Sequence, residues 1–379
     1  MMLRFLASLA AALGLASPAW AASCDAANSY GFAFASQTVS TLSYGTTYNY
    51  TATSGAGATR SFSMVLAQNG LSNTSVNGNV LPAIATLVSG SDITKNDLVI
   101  GGVFSGRTAS ITSSTRVITT TFTFAAPIRE LALTVHDIDF TSNQYRDWLS
   151  VTGANGASTY TANVALGPAA TAAEVGPGTT PFSVPAGQAV GTGASGNNSE
   201  DGTLIASFAA PVTSVTIRYG NYPLTGSETT TGQQAMGIAG ISFCPMPSVS
   251  LAKTSAPATG TYGAFNVPDN DVIYTLTVTN SGGSTVDAGT IVLNDVMPAN
   301  VTFKNVAFDG TTALPVKLTG SAGVTLSASD ISYRQSGSGT FGYSPASGYD
   351  PLLAELKITP QGTMAANSTF SVQFKAKIK

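Results

Sequence analysis

Three aspartates close together in the chain, Asp137, Asp139 and Asp147, are the residues whose type and spacing come nearest to chemistry. Residues two apart on a strand share a face. Asp137 and Asp139 therefore continue the face of Leu131, Leu133 and Val135, which turns from apolar to acidic at the strand end. Asp147 opens the next strand, after the loop Phe140 to Arg146. Carboxylates brought together repel one another, and hydrogen-bond donors, an arginine such as Arg146, or a hard cation offset that repulsion. Outside the cell that cation is Ca²⁺, which makes these three aspartates the candidate metal ligands, although the Gly and Glu of a calcium-loop motif are missing. Tyr145, Trp148 and Tyr222, with Tyr219, are the candidate aromatic platform for a ligand such as a sugar. Core or rim positions in the sandwich are the competing reading for Trp148 and Tyr219.

His136 is the single histidine, so a Ser-His-Asp hydrolase would have to use it as its base. Asp137 stands next to it, but neighbours on a strand point to opposite faces, and adjacency alone supplies no His-Asp hydrogen bond. No G-x-S-x-G elbow precedes it. A glycosidase needs two carboxylates across a cleft. Glu130, Glu174, Glu200 and Glu228 supply the residue type without a motif. The expectation is a protein without catalysis, with a secreted polysaccharide or ester hydrolase as the alternative.

The elements that must position these residues follow from composition. Of 379 residues only 9% are charged while 43% are hydrophobic, so Ser, Thr, Asn, Gln and Gly must make most of the polar surface. The net charge is -3 and no basic block occurs, which argues against nucleic acid as a partner. Met1 to Ala21 reads as a secretory signal peptide: Arg4, an apolar run from Ala7 to Leu15, Pro18, then Ala19-Trp20-Ala21. No later stretch is long and apolar enough to span a membrane, so the expected location is secreted or cell-surface. In an oxidising compartment the only two cysteines, Cys24 and Cys244, are expected to form one disulfide.

Pro245-Met246-Pro247-Ser248 favours an extended connector and marks a domain boundary. Arginine is the prevailing cation before it and lysine after it. Both halves show strand alternation. In Val272 to Asn280 one face carries Val272, Tyr274, Leu276 and Val278, the other Ile273, Thr275, Thr277 and Thr279. Further strands are expected at Phe62 to Leu66, Val117 to Phe124, Leu131 to Ile138, Leu204 to Phe208, Val215 to Tyr219, Ile291 to Leu293, Leu356 to Ile358 and Phe370 to Ile378. Phe124-Ala125-Ala126-Pro127-Ile128 recurs as Phe208-Ala209-Ala210-Pro211-Val212, and the repeat is read as two similar hairpins of one sandwich. Lys375, Lys377 and Lys379 alternate on the last strand as a solvated face suited to a sheet edge. The glycine-rich pieces Gly153 to Gly156 and Gly191 to Asn198 read as turns.

The second half carries Ser248-Val249-Ser250-Leu251-Ala252-Lys253-Thr254, then Tyr274-Thr275-Leu276-Thr277-Val278-Thr279-Asn280-Ser281-Gly282-Gly283, then Asp295-Val296-Met297-Pro298-Ala299-Asn300-Val301, and closes with Leu356 to Gly362 and Phe370 to Lys375. In these segments residues 248–379 resemble the conserved-repeat domain of bacterial surface and secreted proteins. That resemblance implies an immunoglobulin-like sandwich and a structural module without catalytic residues. The first half resembles, more loosely, the non-repeat head domains of adhesin-like proteins, through Phe124 to Ile128, His136 to Asp139, Asp147 to Gly153 and Gly237 to Cys244. It implies a ligand-binding or adhesive head whose ligand the resemblance does not specify; the expected partner is an extracellular glycan or a surface protein. The expected organisation is a signal peptide at 1–21, a jelly-roll-like or β-sandwich head closed by a disulfide at 22–245, and an immunoglobulin-like β-sandwich at 246–379.

Overall fold

The computed structural model describes residues 24, 26–107, 114–167, 175–177, 186–222, 232–258, 263–320 and 322–379. The expected signal peptide lies outside these residues, as do Glu174 and Glu228. The chain is all-β: apart from two short 3-10 turns, every regular element among the described residues is a strand.

The strands that build the head are β1 (Tyr30–Ala33), β2 (Thr47–Ser54), β3 (Thr59–Asn69), β4 (Asp97–Phe104), β5 (Val117–His136), β6 (Tyr145–Asn155), β7 (Gln188–Gly191), β8 (Leu204–Ser207), β9 (Val212–Asn221) and β10 (Gln234–Pro245). β5 decides the architecture. The sequence suggests two strands split at Ala125-Ala126-Pro127, but this is one strand of 20 residues. A register shift falls between Thr123 and Ile128, where no ladder bond is asked of the proline. The first half of β5 pairs with β3 and with β9, from Val117 opposite Gly220 to Thr123 opposite Ser214. Its second half pairs with β8 and with β10, ending at His136 opposite Gly237. One layer is thus β2-β3-β5-β9-β6-β7 and the other β8-β5-β10-β4, with β5 running through both sheets of a β-sandwich.

The internal repeat has a different origin from two hairpins. Residues 117–123 pair with 214–220, and 132–135 pair with 204–207, so the halves of each copy pair with the other copy. In each copy the Ala-Pro corner carries the chain from one sheet to the other, and the copies exchange partners about a pseudo-two-fold axis. Their phenylalanines fill the interior: Phe124 lies 5.7 Å from Phe62 and 5.1 Å from Phe243, ring centre to ring centre. Such aromatic contacts add to the burial that drives the sheets together.

Cys24 and Cys244 form the expected disulfide, with Cα atoms 5.9 Å apart. It ties the start of the head to the end of β10. Closing a loop with a sequence separation of 220 restricts the unfolded chain by up to about 5 kcal/mol on the chain-entropy model.

After Met246-Pro247-Ser248 come β11 (Val249–Pro257), β12 (Asp271–Asn280), β13 (Leu293–Val296), β14 (Val301–Asn305), β15 (Val316–Thr319), β16 (Ile331–Gln335), β17 (Gly348–Asp350), β18 (Leu353–Ile358) and β19 (Ser368–Ile378). They form two antiparallel sheets, β11-β12-β19-β14-β17 with β15 also on β19, and β13-β18-β16. Leu276, Val278, Phe303, Leu356, Phe370 and Phe374 are buried between them, an immunoglobulin-like sandwich with its own core. Among the described residues no strand pairing joins β1 through β10 to β11 through β19.

The lysine strand is not an edge. β19 is paired on both sides, by β12 and by β14 and β15, and Lys375 donates to the Phe308 carbonyl at 2.8 Å. The alternation itself holds, since Val372, Phe374 and Ala376 are buried opposite the lysines.

Candidate functional site

The acidic residues stand where β5 ends. The strand stops at His136, and Asp137 takes a left-handed φ of 64°, a conformation Asp tolerates better than most residues. This turn interrupts the strand alternation that the sequence extends to Asp139. All three acidic residues are nevertheless buried: Asp137 is 5% exposed, Asp139 2% and Asp147 0%.

The glycine-rich stretch after β7 makes this possible. A Cβ on Gly191 would overlap the Asp139 carbonyl, so only glycine lets β7 lie against the turn. The following residues wrap it, with the Ser195 N–H donating to Asp139 Oδ2 at 3.0 Å and the Ile138 N–H to the Gly202 carbonyl at 3.1 Å. Residues 191–198 are thus part of the site as well as a turn.

Asp147 is held entirely by protein donors. Its Oδ1 accepts from the Tyr219 hydroxyl at 2.6 Å and from Gln234 Nε2 at 2.8 Å, and its Oδ2 accepts from the Asp139 N–H at 3.2 Å. Asp139 further accepts from the Tyr145 hydroxyl. Arg146 turns elsewhere: its Nη1 donates to the Gly191 carbonyl at 2.7 Å and its guanidinium lies 3.6 Å over Phe140. Among the described residues no ion pair joins a cation to Asp137, Asp139 or Asp147. Burial therefore dominates their acidity. Desolvation and the Asp139 carboxylate push Asp137 up to about 8, desolvation raises Asp139, and desolvation with the Asp139 charge holds Asp147 well above the usual carboxylate range.

These groups border a polar cavity of about 360 Å³, lined by Asn77, Asp137, Thr141, Gln144, Tyr145 and Gln234 together with Asn197 and Gln233. A larger depression of about 450 Å³ lies over Gly31, Ala132, Thr134 and Gly240 and has no titratable group in its wall. Of the aromatic platform only Tyr145 lines the polar cavity. Trp148 is a correction: it is fully buried, donates from Nε1 to Gln188 Oε1 at 2.8 Å and packs under Arg218, so its ring presents no face to a ligand. The sheet explains this, because β6 lies between β7 and β9. Tyr219 is likewise buried, and Tyr222 is half-buried outside the cavity wall, its N–H bonded to the Arg146 carbonyl.

The three carboxylates do not each bring an oxygen to within 4.8 Å of the other two. Among the described residues the group that does so is Cys24, Glu130 and Cys244, whose sulfurs are already joined to each other.

His136 pairs with a residue that sequence spacing did not single out. Its Nδ1 lies 2.7 Å from Asp97 Oδ2, and its Nε2 is 3.9 Å from Glu200 Oε2. Gly90 packs against the ring, and the flanking Ser91 hydroxyl donates to Glu200 Oε1 at 3.1 Å. Ser89 donates to Asn198 Oδ1 at 2.8 Å. Both hydroxyls of the loop over His136 are thus engaged away from its ring. Burial raises the Asp97 carboxyl, while its hydrogen bond to His136 pulls the other way. Asp97, Ser195 and Gln234 belong to the site and carry no motif. Only the fold brings them there.

Comparison with known proteins adds no family. No family model matches the chain, and no curated protein matches it. Among solved structures, recombinant discoidin II of Dictyostelium discoideum aligns over 84% of this chain and 96% of its own, at 9% identity and a TM-score of 0.24. A similarity that low carries no inference about function. No helix among the described residues is long and apolar enough to cross a membrane.

Proposed function

We propose that this is an exported, non-catalytic binding protein, whose head takes a carbohydrate in the polar cavity beside Asp137 and whose second sandwich serves as a structural module. The observation that carries this reading is the cavity wall. Asn77, Gln144, Asn197 and Gln233 offer side-chain amides, Thr141 and Tyr145 hydroxyls, and Asp137 a carboxyl, in a volume of about 360 Å³. Amides and carboxyls present donors and acceptors in pairs, which is what the hydroxyls of a sugar ring require. The disulfide and the signal-peptide pattern support export. The engagement of Ser89 and Ser91 with Asn198 and Glu200 favours binding over a hydrolase centred on His136.

The test is a glycan array probed with the whole chain, alongside Gln144→Ala and Asn197→Ala. A defined set of saccharides should bind, at least about tenfold more weakly in each variant. Absence of binding to any saccharide would overturn the reading. So would turnover of a polysaccharide or ester that stops in His136→Ala.

A further inference from the structure

We propose that the inner wall of this cavity is a Ca²⁺ site, formed by Asp137, Asp139 and the side-chain oxygen of Gln234. The inference goes beyond carbohydrate binding and stands whether or not a sugar occupies the cavity.

Three buried acceptor oxygens in this part of the head, Asp137 Oδ1, Asp139 Oδ1 and Gln234 Oε1, have no donor. All three residues are more than nine-tenths buried. Asp137 and Gln234 line the cavity. Asp139 is tied to the same wall through Tyr145, whose hydroxyl it accepts. Buried polar atoms are normally paired, and three unpaired buried acceptors describe a place for a positive group.

The orientation of Gln234 is dictated by its surroundings. Its Nε2 faces Asp147 Oδ1, the Tyr219 oxygen and the Gly220 carbonyl, at 2.8, 3.3 and 3.5 Å. The Gly220 carbonyl only accepts, and the Tyr219 hydroxyl already spends its proton on Asp147 Oδ1, so turning the amide round would set its oxygen against these oxygens. Oε1 must therefore point away from Asp147. Asp147, with both its oxygens occupied, positions Gln234 and the Asp139 backbone and is not itself a ligand. This accounts for three carboxylates that gather in one place without converging on one point.

The donor set selects the ion. It is all oxygen, contains two carboxylates and a neutral amide, and contains no nitrogen or sulfur, which suits a hard divalent cation. Ca²⁺ accepts irregular arrangements of protein oxygens, whereas Mg²⁺ demands a near-ideal octahedron and keeps most of its water.

The experiment is isothermal titration of chelator-treated whole chain with CaCl₂, and separately with MgCl₂, up to about 10 mM, above the weak end of extracellular calcium modules. We expect one Ca²⁺ per chain, a much weaker response to Mg²⁺, and a thermal midpoint that rises with Ca²⁺. Asp137→Asn and Asp139→Asn should each weaken binding at least about tenfold. Asp269→Asn, at an exposed acid of the second sandwich, should leave the titration unchanged. If an aspartate variant fails to fold, Gln234→Leu replaces it, and the wild-type midpoint decides independently. No heat and no midpoint shift with Ca²⁺ would overturn the proposal and leave the carboxyls neutralised by protons alone. Binding that persists undiminished in Asp137→Asn and Asp139→Asn would overturn it as well.

Discussion

His136 and Asp97 are joined at 2.7 Å although they lie 39 positions apart in the chain, while Asp137, the chain neighbour of His136, lines the polar cavity. The pair bridges β4 and the end of β5, both of which flank β10. It is buried on both sides, with the Asp97 side chain only 3% exposed. Replacing Asp97 with alanine leaves a buried imidazole nitrogen without its hydrogen-bond partner, which costs about 1–3 kcal/mol. Equilibrium denaturation of Asp97→Ala is expected to show that loss. A change below about 0.5 kcal/mol would mean that the pair contributes nothing to the fold.

Gly191 and Gly156 separate close approach from backbone strain. At Gly191 an added Cβ meets the Asp139 carbonyl, while at Gly156, with φ of 58°, it meets nothing within 4 Å. Gly156→Ala is therefore expected to cost about 1 kcal/mol, from the left-handed conformation alone. Gly191→Ala is expected to cost about 3 kcal/mol, because β7 must move off the acidic turn. Denaturant midpoints of the two variants check the order, and equal values would contradict it.

Acid should weaken the second sandwich through Asp350. Burial by itself would raise this carboxyl, but the Tyr343 hydroxyl at 2.8 Å and the N–H groups of Ala346 and Leu352 at 2.7 and 2.8 Å outweigh it and hold it below the usual carboxylate range. A group depressed in the folded state stabilises above its unfolded value of about 4, and that stability is lost as pH falls through the folded value. Urea midpoints should therefore drop below about pH 4 in the wild type. Asp350→Asn should start lower at pH 7 and show a shallower acid limb. A variant parallel to the wild type across that range would exclude the role.

Removal of the disulfide tests the link between Cys24 and the end of β10. Cys24→Ser with Cys244→Ser is expected to lower stability by about 3 kcal/mol, less than the full loop-entropy value. The cost appears mainly in the unfolded state, so the denaturation slope should change with the midpoint. The wild type under reducing agent should match the double variant. Identical curves with and without reductant would contradict the prediction.

Local alternation made much of the fold legible, and long-range pairing made the rest illegible. Val272 to Asn280 is β12 within one residue, and Phe370 to Ile378 lies inside β19, because each has one buried face that fixes its period. Ile291 to Leu293 meets β13, which runs Leu293–Val296, only at Leu293: the apolar run there is too short to define a face. The continuity of β5 through Pro127 could not be read locally, since a proline corner looks the same in a hairpin and in a strand that changes sheets. The acidic residues stood out by type and closeness in the chain, although the turn at Asp137 and not strand spacing brings them together, and the cysteine pair stood out by count. Asp97 and Gln234 were not, because each reaches the site only through its strand register, Asp97 opposite Ala85 and Gln234 opposite Gly102. Trp148 was misplaced for a related reason: its side chain type suits a binding platform, and only the partners of β6 on both sides bury it.

A strand shared by two sheets has a consequence for how the head comes apart. Neither layer can lose β5 without the other losing its central member, so partial opening of one sheet is coupled to the whole. Amide protons along Val117–His136 should then exchange only through global unfolding, at similar rates on either side of the Pro127 corner. The partners that must be found first, residues 62–69, 204–220 and 237–245, are distant in the chain. Such topology places the head among the slow-folding proteins dominated by non-local contacts.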